Sequence, residues 1–260
     1  MTTDAPILLR DDADGICTLT LNRPQARNAL SIALMAAIQD ELDVLRDDAS
    51  VKVVIIKANG PAFCAGHDLK EVRGLDKSRH LALFQQCSRM MESIVTLPKP
   101  VIAEVHAMAT AAGCQLVASC DLAYAAPTAK FATPGVNIGL FCSTPMVALS
   151  RNVPRKKAME MLLSGHPMSA EDAAAFGLVN AVVEADALGT TVTDMARTIA
   201  GKSPLTLAIG KEAFYRQLEL PLTEAYDYAS QVMATNLGAQ DATEGIDAFI
   251  EKRPPIWRGC

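Results

Sequence analysis

Apolar and polar residues alternate in "ICTLTL", which predicts a strand from Ile16 to Leu21 that Pro24 stops. The period then changes. In "NALSIALMAAIQDELDVLRDD", Leu34, Ile38, Leu42 and Leu45 recur at helical spacing and share one face. "VKVVIIKA" reads as a buried strand, Leu81 to Leu97 as a helix ended by "PKP", and Val101 to Val105 and "DLAYAA" as further strands. Strands alternating with helices predict an α/β chain. From about residue 144 the pattern is mostly helical. Ser169 with Asp172 resembles a capping box, and "GLVNAVV" follows as a short strand. Beyond Asp186 only helices are expected, broken at Ser203-Pro204 and Leu220-Pro221. This divides the chain into a mixed core over residues 1–200 and a helical region over 201–260 that is no independent unit.

Two patches of small residues interrupt the pattern. "AFCAGHDLKE" (Ala62 to Glu71) follows one buried strand, and "ATAAGCQLVASCD" (Ala109 to Asp121) follows another. The first amides of a helix have no partner within it and carry the positive end of its dipole. Ala and Gly leave those amides open to a ligand. Two amides aimed at one point make an oxyanion hole, suited to a carbonyl that becomes an enolate or a tetrahedral oxyanion. Small residues also let a buried helix sit close under a sheet, and Gly66 suits an ordinary turn. Both readings stay open on residues alone.

Composition narrows the field. Half of the 260 residues are hydrophobic and only 5% aromatic, so Ala, Val, Leu, Ile and Met must fill the core. Lys and Arg number 24 against 29 Asp and Glu, a net charge of −5. That argues against a nucleic-acid or acidic-membrane surface, though not against a local basic pocket for one phosphorylated ligand. No apolar run approaches the ~18 residues of a membrane span. The seven cysteines include no C-x-x-C, and the four histidines show no zinc spacing, so no metal ligand is expected. Reduced, buried thiols predict a cytoplasmic protein. "MTTDAPILLRDDADG" shows no signal or transit pattern.

The chain resembles the crotonase superfamily, also called the enoyl-CoA hydratase/isomerase family. The resemblance rests on "LNRPQARNAL", "AFCAGHDLKE", "KPVIAEVHAMATAAGCQLVASCDLAYAA", "FATPGVNIGL", "EDAAAFGLVNAVV" and "AFIEKR", in that order along almost the whole chain. "TAAGCQLVASCD", "GLFCSTP" and "VPRKKAMEML" look closer still to the enoyl-CoA hydratase domain-containing protein three branch. The resemblance implies a spiral of ββα units and a C-terminal helical region that builds homotrimers, often paired as hexamers. It implies an acyl-CoA thioester as ligand, with coenzyme A part of the substrate and no separate cofactor. It implies that the amides of His67 and Ala112 hold the thioester oxygen. Ala65, Asp68 and Leu69 would lie along the CoA arm, and Arg27 and Ala29 near its nucleotide end. Gly113, Pro134 and Leu140 would belong to the substrate pocket. Phe249 and Lys252 match positions from which a neighbouring subunit touches adenine and phosphate; a solvated cation is the plainer role for Lys252.

The departures matter most. The family's hydratases use two glutamates to handle the water that adds to the double bond. Here those positions are Gln115, in "AAGCQL", and Gly135, in "FATPG". An amide cannot take a proton near neutral pH, and a positioned acid or base typically contributes ~10²–10⁴-fold. Ordinary hydration is therefore expected to be weak or absent. Loss of catalysis with survival of the pocket is an alternative; so is decarboxylation of a malonyl-type ester, as in the related methylmalonyl-CoA decarboxylases, whose strings are also of the "AGHD" type. Replacement acid–base groups would have to come from the His67 ring, Cys142 or Ser143. Asp68 and Glu71 are expected to face solvent or start a helix, and His106 to face away.

Overall fold

The computed structural model describes residues 5–260; the first four residues of the acidic opening stretch lie outside it. The chain begins with β1 (Leu8–Ala13) and β2 (Ile16–Leu21), then α1 (Ile32–Asp47), β3 (Val53–Ala58), α2 (Leu69–Arg73), α3 (Lys77–Thr96) and β4 (Val101–Val105). Next come β5 (Ala109–Thr110), α4 (Ala112–Ser119), β6 (Leu122–Ala125) and β7 (Lys130–Ala132). Then follow α5 (Pro145–Asn152), α6 (Arg155–Ser164), β8 (Met168–Ser169), α7 (Ala170–Ala175) and β9 (Ala181–Val182). α8 (Ala185–Ala200), α9 (Pro204–Gln217), α10 (Leu222–Leu237) and α11 (Gln240–Glu251) complete the chain.

Six strands make the main sheet in the order β1-β2-β3-β4-β6-β9, and β5, β7 and β8 make a second, smaller one. Every neighbour in the main sheet is parallel except β1, which turns back on β2. The turn is Asp14-Gly15, both with positive φ (54° and 77°), the geometry that an Asp-Gly hairpin favours. Arg10 then ties this edge strand to α1 through Glu41 (3.0 Å) and Asp48 (3.0 Å).

Strand alternation divides the core. Val54 and Ile56 face α1, α3 and α4 with Leu34, Ile38, Leu42, Leu45, Met90 and Leu116. Val53 and Ile55, with Ile16, Ile102 and Tyr124, face Leu188, Val192 and Ala196 of α8. Each such side chain stabilises the fold by roughly 1.5–3 kcal/mol relative to exposure. All four residues of the apolar α1 stripe are buried, and Ser31 caps that helix through the Leu34 amide. Ser169 caps α7 through the Asp172 amide (3.1 Å).

Three boundaries differ from expectation. α3 begins at Lys77, four residues before Leu81, because the Asp76 side chain accepts from the Arg79 amide and starts the helix ahead of its apolar stripe. "GLVNAVV" pairs only at Ala181–Val182. α8 begins at Ala185, just before Asp186.

α9 buries no residue completely, yet it is anchored firmly. Lys211 Nζ donates to Asp121 Oδ2 (2.7 Å), Ile94 O (2.9 Å) and Lys99 O (3.0 Å), and the Tyr215 hydroxyl donates to Asp121 Oδ1 (2.9 Å). Asp241, 1% exposed, accepts from Ser203 Oγ (2.6 Å) and from the Arg258 and Gly259 amides, which holds the C-terminal tail against α11.

Candidate active site

The two small patches lie beside each other. Phe63 and Cys64 amides donate to Met108 O, and the Thr110 amide returns a bond to Cys64 O (2.9 Å). Gly113 sits so near Cys64 that an added Cβ would overlap the Cys64 carbonyl, so only glycine allows this approach. Gly66 has φ +85°, and a Cβ there would stand 2.9 Å from the Ala111 methyl and 3.4 Å from the Ala112 nitrogen. The fold thus brings His67, next to Gly66, to the first residue of α4.

Neither the His67 amide nor the Ala112 amide has an acceptor among the described residues. Ala112 is the first residue of α4, so no carbonyl of its own helix can reach its amide. The residues flanking His67 are engaged instead: the Leu30 amide donates to Gly66 O and the Asp68 amide donates to Leu30 O, which sets the segment as a short parallel bridge.

Side chains around the patches fall into two groups. Asp68 caps α2 and pairs with Arg23 (3.1 Å), and Glu71 accepts from the Ile32 amide (2.8 Å) at the start of α1. Ala65 is half-buried and its amide bonds Arg27 O; Ala29 is buried; Arg27 and Leu69 are exposed. His106 Nε2 meets Gly60 O (2.8 Å). Phe249, 84% exposed, and Lys252 lie at the end of α11.

The second group is buried and unpaired. Gln115 is 4% exposed and Thr133 fully buried, and neither Gln115 Oε1 nor Thr133 Oγ1 has a partner among the described residues. Backbone bonds place both beside Ala111: Gln115 N donates to Ala111 O (3.0 Å), and Ala111 N donates to Ala132 O (2.8 Å). Pro134 opens a single-turn helix over Pro134–Ile138, and the loop closes with Leu140 N on Gly135 O (2.9 Å). A Cβ at Gly135 would overlap Leu140 O and stand 2.9 Å from Cys142 Sγ. Position 135, where the resemblance implies the second family glutamate, therefore has no room for a larger side chain.

The His67 ring packs edge-on against Phe84 (centroids 5.4 Å apart), with both ring nitrogens buried and without a partner among the described residues. Burial pushes its pKa below the ordinary 6.5, and the nearby Leu30 backbone opposes this only in part. The folded protein thus holds fewer protons here than the unfolded chain once pH drops below about 6.5. Stability from this neutral ring is present above that pH and is lost as pH falls through the folded-state value. Unfolding midpoints measured from pH 8 to 5 should fall for the wild type, and His67→Leu should flatten part of that fall.

The thiols offer no nucleophile. Burial raises Cys142, and lifts Cys64 and Cys114 to about 12, so all three stay protonated. Ser143 Oγ is exposed and donates to Phe141 O. Among the described residues no three metal-ligating side chains come together, and no helix is long and apolar enough to cross a membrane.

Sequence reasoning missed Arg23, Phe84, Ala111 and Thr133. Arg23 and Thr133 carried no local signal, since folding alone supplies their neighbours.

A spiral of strand and helix units, with two adjoining backbone patches at the start of a buried helix, is the architecture of an enoyl-CoA hydratase/isomerase. The family model for enoyl-CoA hydratase/isomerase matches residues 11–260, and the chain belongs to this family. It is 48% identical over 253 residues to the Xenopus laevis enoyl-CoA hydratase domain-containing protein 3, mitochondrial, covering 97% of this chain and 86% of that protein. It is 49% identical over 245 residues to the Homo sapiens protein of that name, covering 94% of this chain and 81% of that one. The solved human enoyl-CoA hydratase domain-containing protein 3 superposes with a TM-score of 0.95 at 47% identity, covering 97% of this chain and all of that one. A Mycobacterium smegmatis enoyl-CoA hydratase structure matches equally well (TM-score 0.95, 52% identity, covering 97% of this chain and 99% of that one). One expectation is corrected: the frog, rat, mouse and human relatives are named mitochondrial, which overturns the cytoplasmic reading. Buried thiols report a reducing compartment, and the cytosol is not the only one.

Proposed function

We propose that this protein binds acyl-CoA thioesters and polarises the thioester carbonyl with the amides of His67 and Ala112, stabilising an enolate without two-glutamate hydration. The observation that carries this reading is the adjacency of Gly66–His67 to the first residue of α4, with neither amide satisfied among the described residues. A positioned donor of this kind contributes ~10²–10³-fold in an excluded-water site. The reading needs no cofactor beyond the coenzyme A of the substrate. Arg27, Ala29, Ala65, Asp68 and Leu69 are proposed along the CoA arm, and Gly113, Pro134 and Leu140 at the acyl pocket.

A second reading is favoured by the chemistry around Gln115. A neutral amide, with thiols that stay protonated nearby, does not repel a carboxylate on the acyl group. Decarboxylation of a malonyl-type thioester is the rival that this environment permits, and acyl-CoA binding without turnover is the limiting case.

The C-terminal helices expose Phe214, Leu218, Leu222, Tyr226, Met233 and Leu237, each at least half exposed. So many exposed large apolar side chains along two successive helices support an interface, and the protein is proposed to be a homotrimer or a dimer of trimers.

Incubation with a mixed acyl-CoA panel, read by calorimetry and mass spectrometry, tests the proposal. Micromolar binding of several thioesters is expected, with hydration products weak or absent. Release of carbon dioxide from malonyl-type esters selects the second reading, and no binding of any thioester removes both.

A further inference from the structure

Ala111 occupies a backbone conformation that suits glycine, with φ 50° and ψ −118°. Such positions in a non-glycine residue are strained and persist only where the surroundings over-determine them. Here two hydrogen bonds hold it: its amide to Ala132 O and its carbonyl to Gln115 N. The strain is not isolated. Five non-glycine residues have positive φ among those described, and three of them, Arg27, Asn28 and Ala111, bear on the two small patches. Arg27 O accepts from the Ala65 amide, and the Asn28 side chain donates to Asn59 O and Ala62 O. Both therefore tether the loop that carries His67.

A glycine at position 111 would adopt this conformation freely. The alanine methyl must therefore be weighed by what it touches, which is the face of Gly66, while the residue stays partly accessible beside fully buried Ala112. The methyl, carried by the residue just before the first turn of α4, thus lies against the segment that ends in the His67 amide.

We propose that Ala111 is a positioning residue, whose methyl sets the separation and aim of the His67 and Ala112 amides at the cost of backbone strain. This rests on the reading that those amides hold a thioester oxygen. It predicts a trade between stability and recognition: removing the methyl relaxes the backbone and loosens the pair of donors.

The test compares two ligands by calorimetry on the full chain: butyryl-CoA, and its S-butyl thioether, which lacks the carbonyl oxygen. The wild type is expected to favour the thioester by about tenfold. Ala111→Gly should unfold several degrees higher yet prefer the thioester by only about twofold, and Ala111→Ser, which keeps the β-carbon, should retain the wild-type ratio. A purely structural role raises the midpoint of Ala111→Gly and leaves the ratio unchanged, which overturns this proposal alone. A wild type blind to the carbonyl overturns it together with the function on which it rests. An Ala111→Gly protein that fails to fold also counts against it, since relief of strain must stabilise.

Discussion

Crotonyl-CoA incubated with the wild-type protein should be hydrated at least ~10²–10⁴-fold more slowly than by a relative that has both carboxylates, and adding the carboxylates back should not repair this. Gln115→Glu is sterically plain, because the two side chains have the same shape. Its difficulty is electrostatic. Position 115 is 4% exposed, and burial without a cationic partner raises a carboxyl above its usual ~4.3. The new acid would be partly protonated, so only its ionised fraction could take a proton from water. Gly135→Glu fails for a different reason. Its β-carbon would collide with Leu140 O, a main-chain atom, and crowd Cys142 Sγ at 2.9 Å. Trimming Cys142 removes one obstacle and leaves the other, because the Gly135–Leu140 hydrogen bond closes the loop on itself. Overpacking of this kind costs typically ~1–3 kcal/mol. The double variant should therefore melt lower than the wild type and gain little hydration in a coupled spectrophotometric assay. Activity within about tenfold of an ordinary hydratase would mean that the loop opens readily, and that neither burial nor crowding governs the site.

The sequence reaches only part of this site. That neither position 115 nor position 135 carries a carboxylate can be read from "AAGCQL" and "FATPG", since residue identity needs no coordinates. The filling of the second position cannot, because Leu140 and Cys142 return to Gly135 only once the loop has folded. The same contrast runs through the fold. The α1 stripe and the two-sided β3 were legible because burial by periodicity is a local property. β1 was not, since "LLRDDA" is an edge strand with charged residues and reads as a polar terminus. Its one usable signal was Asp14-Gly15, a hairpin dipeptide ahead of an alternating run. β5, β7 and β8 are two or three residues long, too short for any period to register. Ala111 is the sharpest case. Its neighbours suggested open amides, but an alanine gives no hint of a left-handed backbone, and the strain exists only because Ala132 and Gln115 bind it from both sides.

Asp121→Ala should lower stability by about 3–5 kcal/mol, because it leaves a buried cation without its counter-charge. Lys211 is 7% exposed at its side chain, and Asp121 is its only anionic partner among the described residues, at 2.7 Å. Removing the carboxylate strands a buried ammonium, leaves the Tyr215 hydroxyl without its acceptor, and frees the Val101 amide at the start of β4. At about 2–4 °C per kcal/mol for a chain of this size, the midpoint should drop by roughly 10 °C. The pH dependence distinguishes a stranded charge from lost packing. Burial already holds Lys211 below its ordinary 10.5, and the variant withdraws the carboxylate that opposes this. The unfolded chain then binds more protons than the folded one between the depressed value and 10.5, so the deficit should narrow as pH rises from 7 to 10. Lost packing alone predicts a deficit that does not vary with pH. Lys211→Met on the Asp121→Ala background should recover part of the loss, because an apolar side chain needs no partner there. If the double variant is instead the sum of the singles, the pair is uncoupled, and α9 is held to the core by Tyr215 and its half-buried side chains rather than by this ion pair.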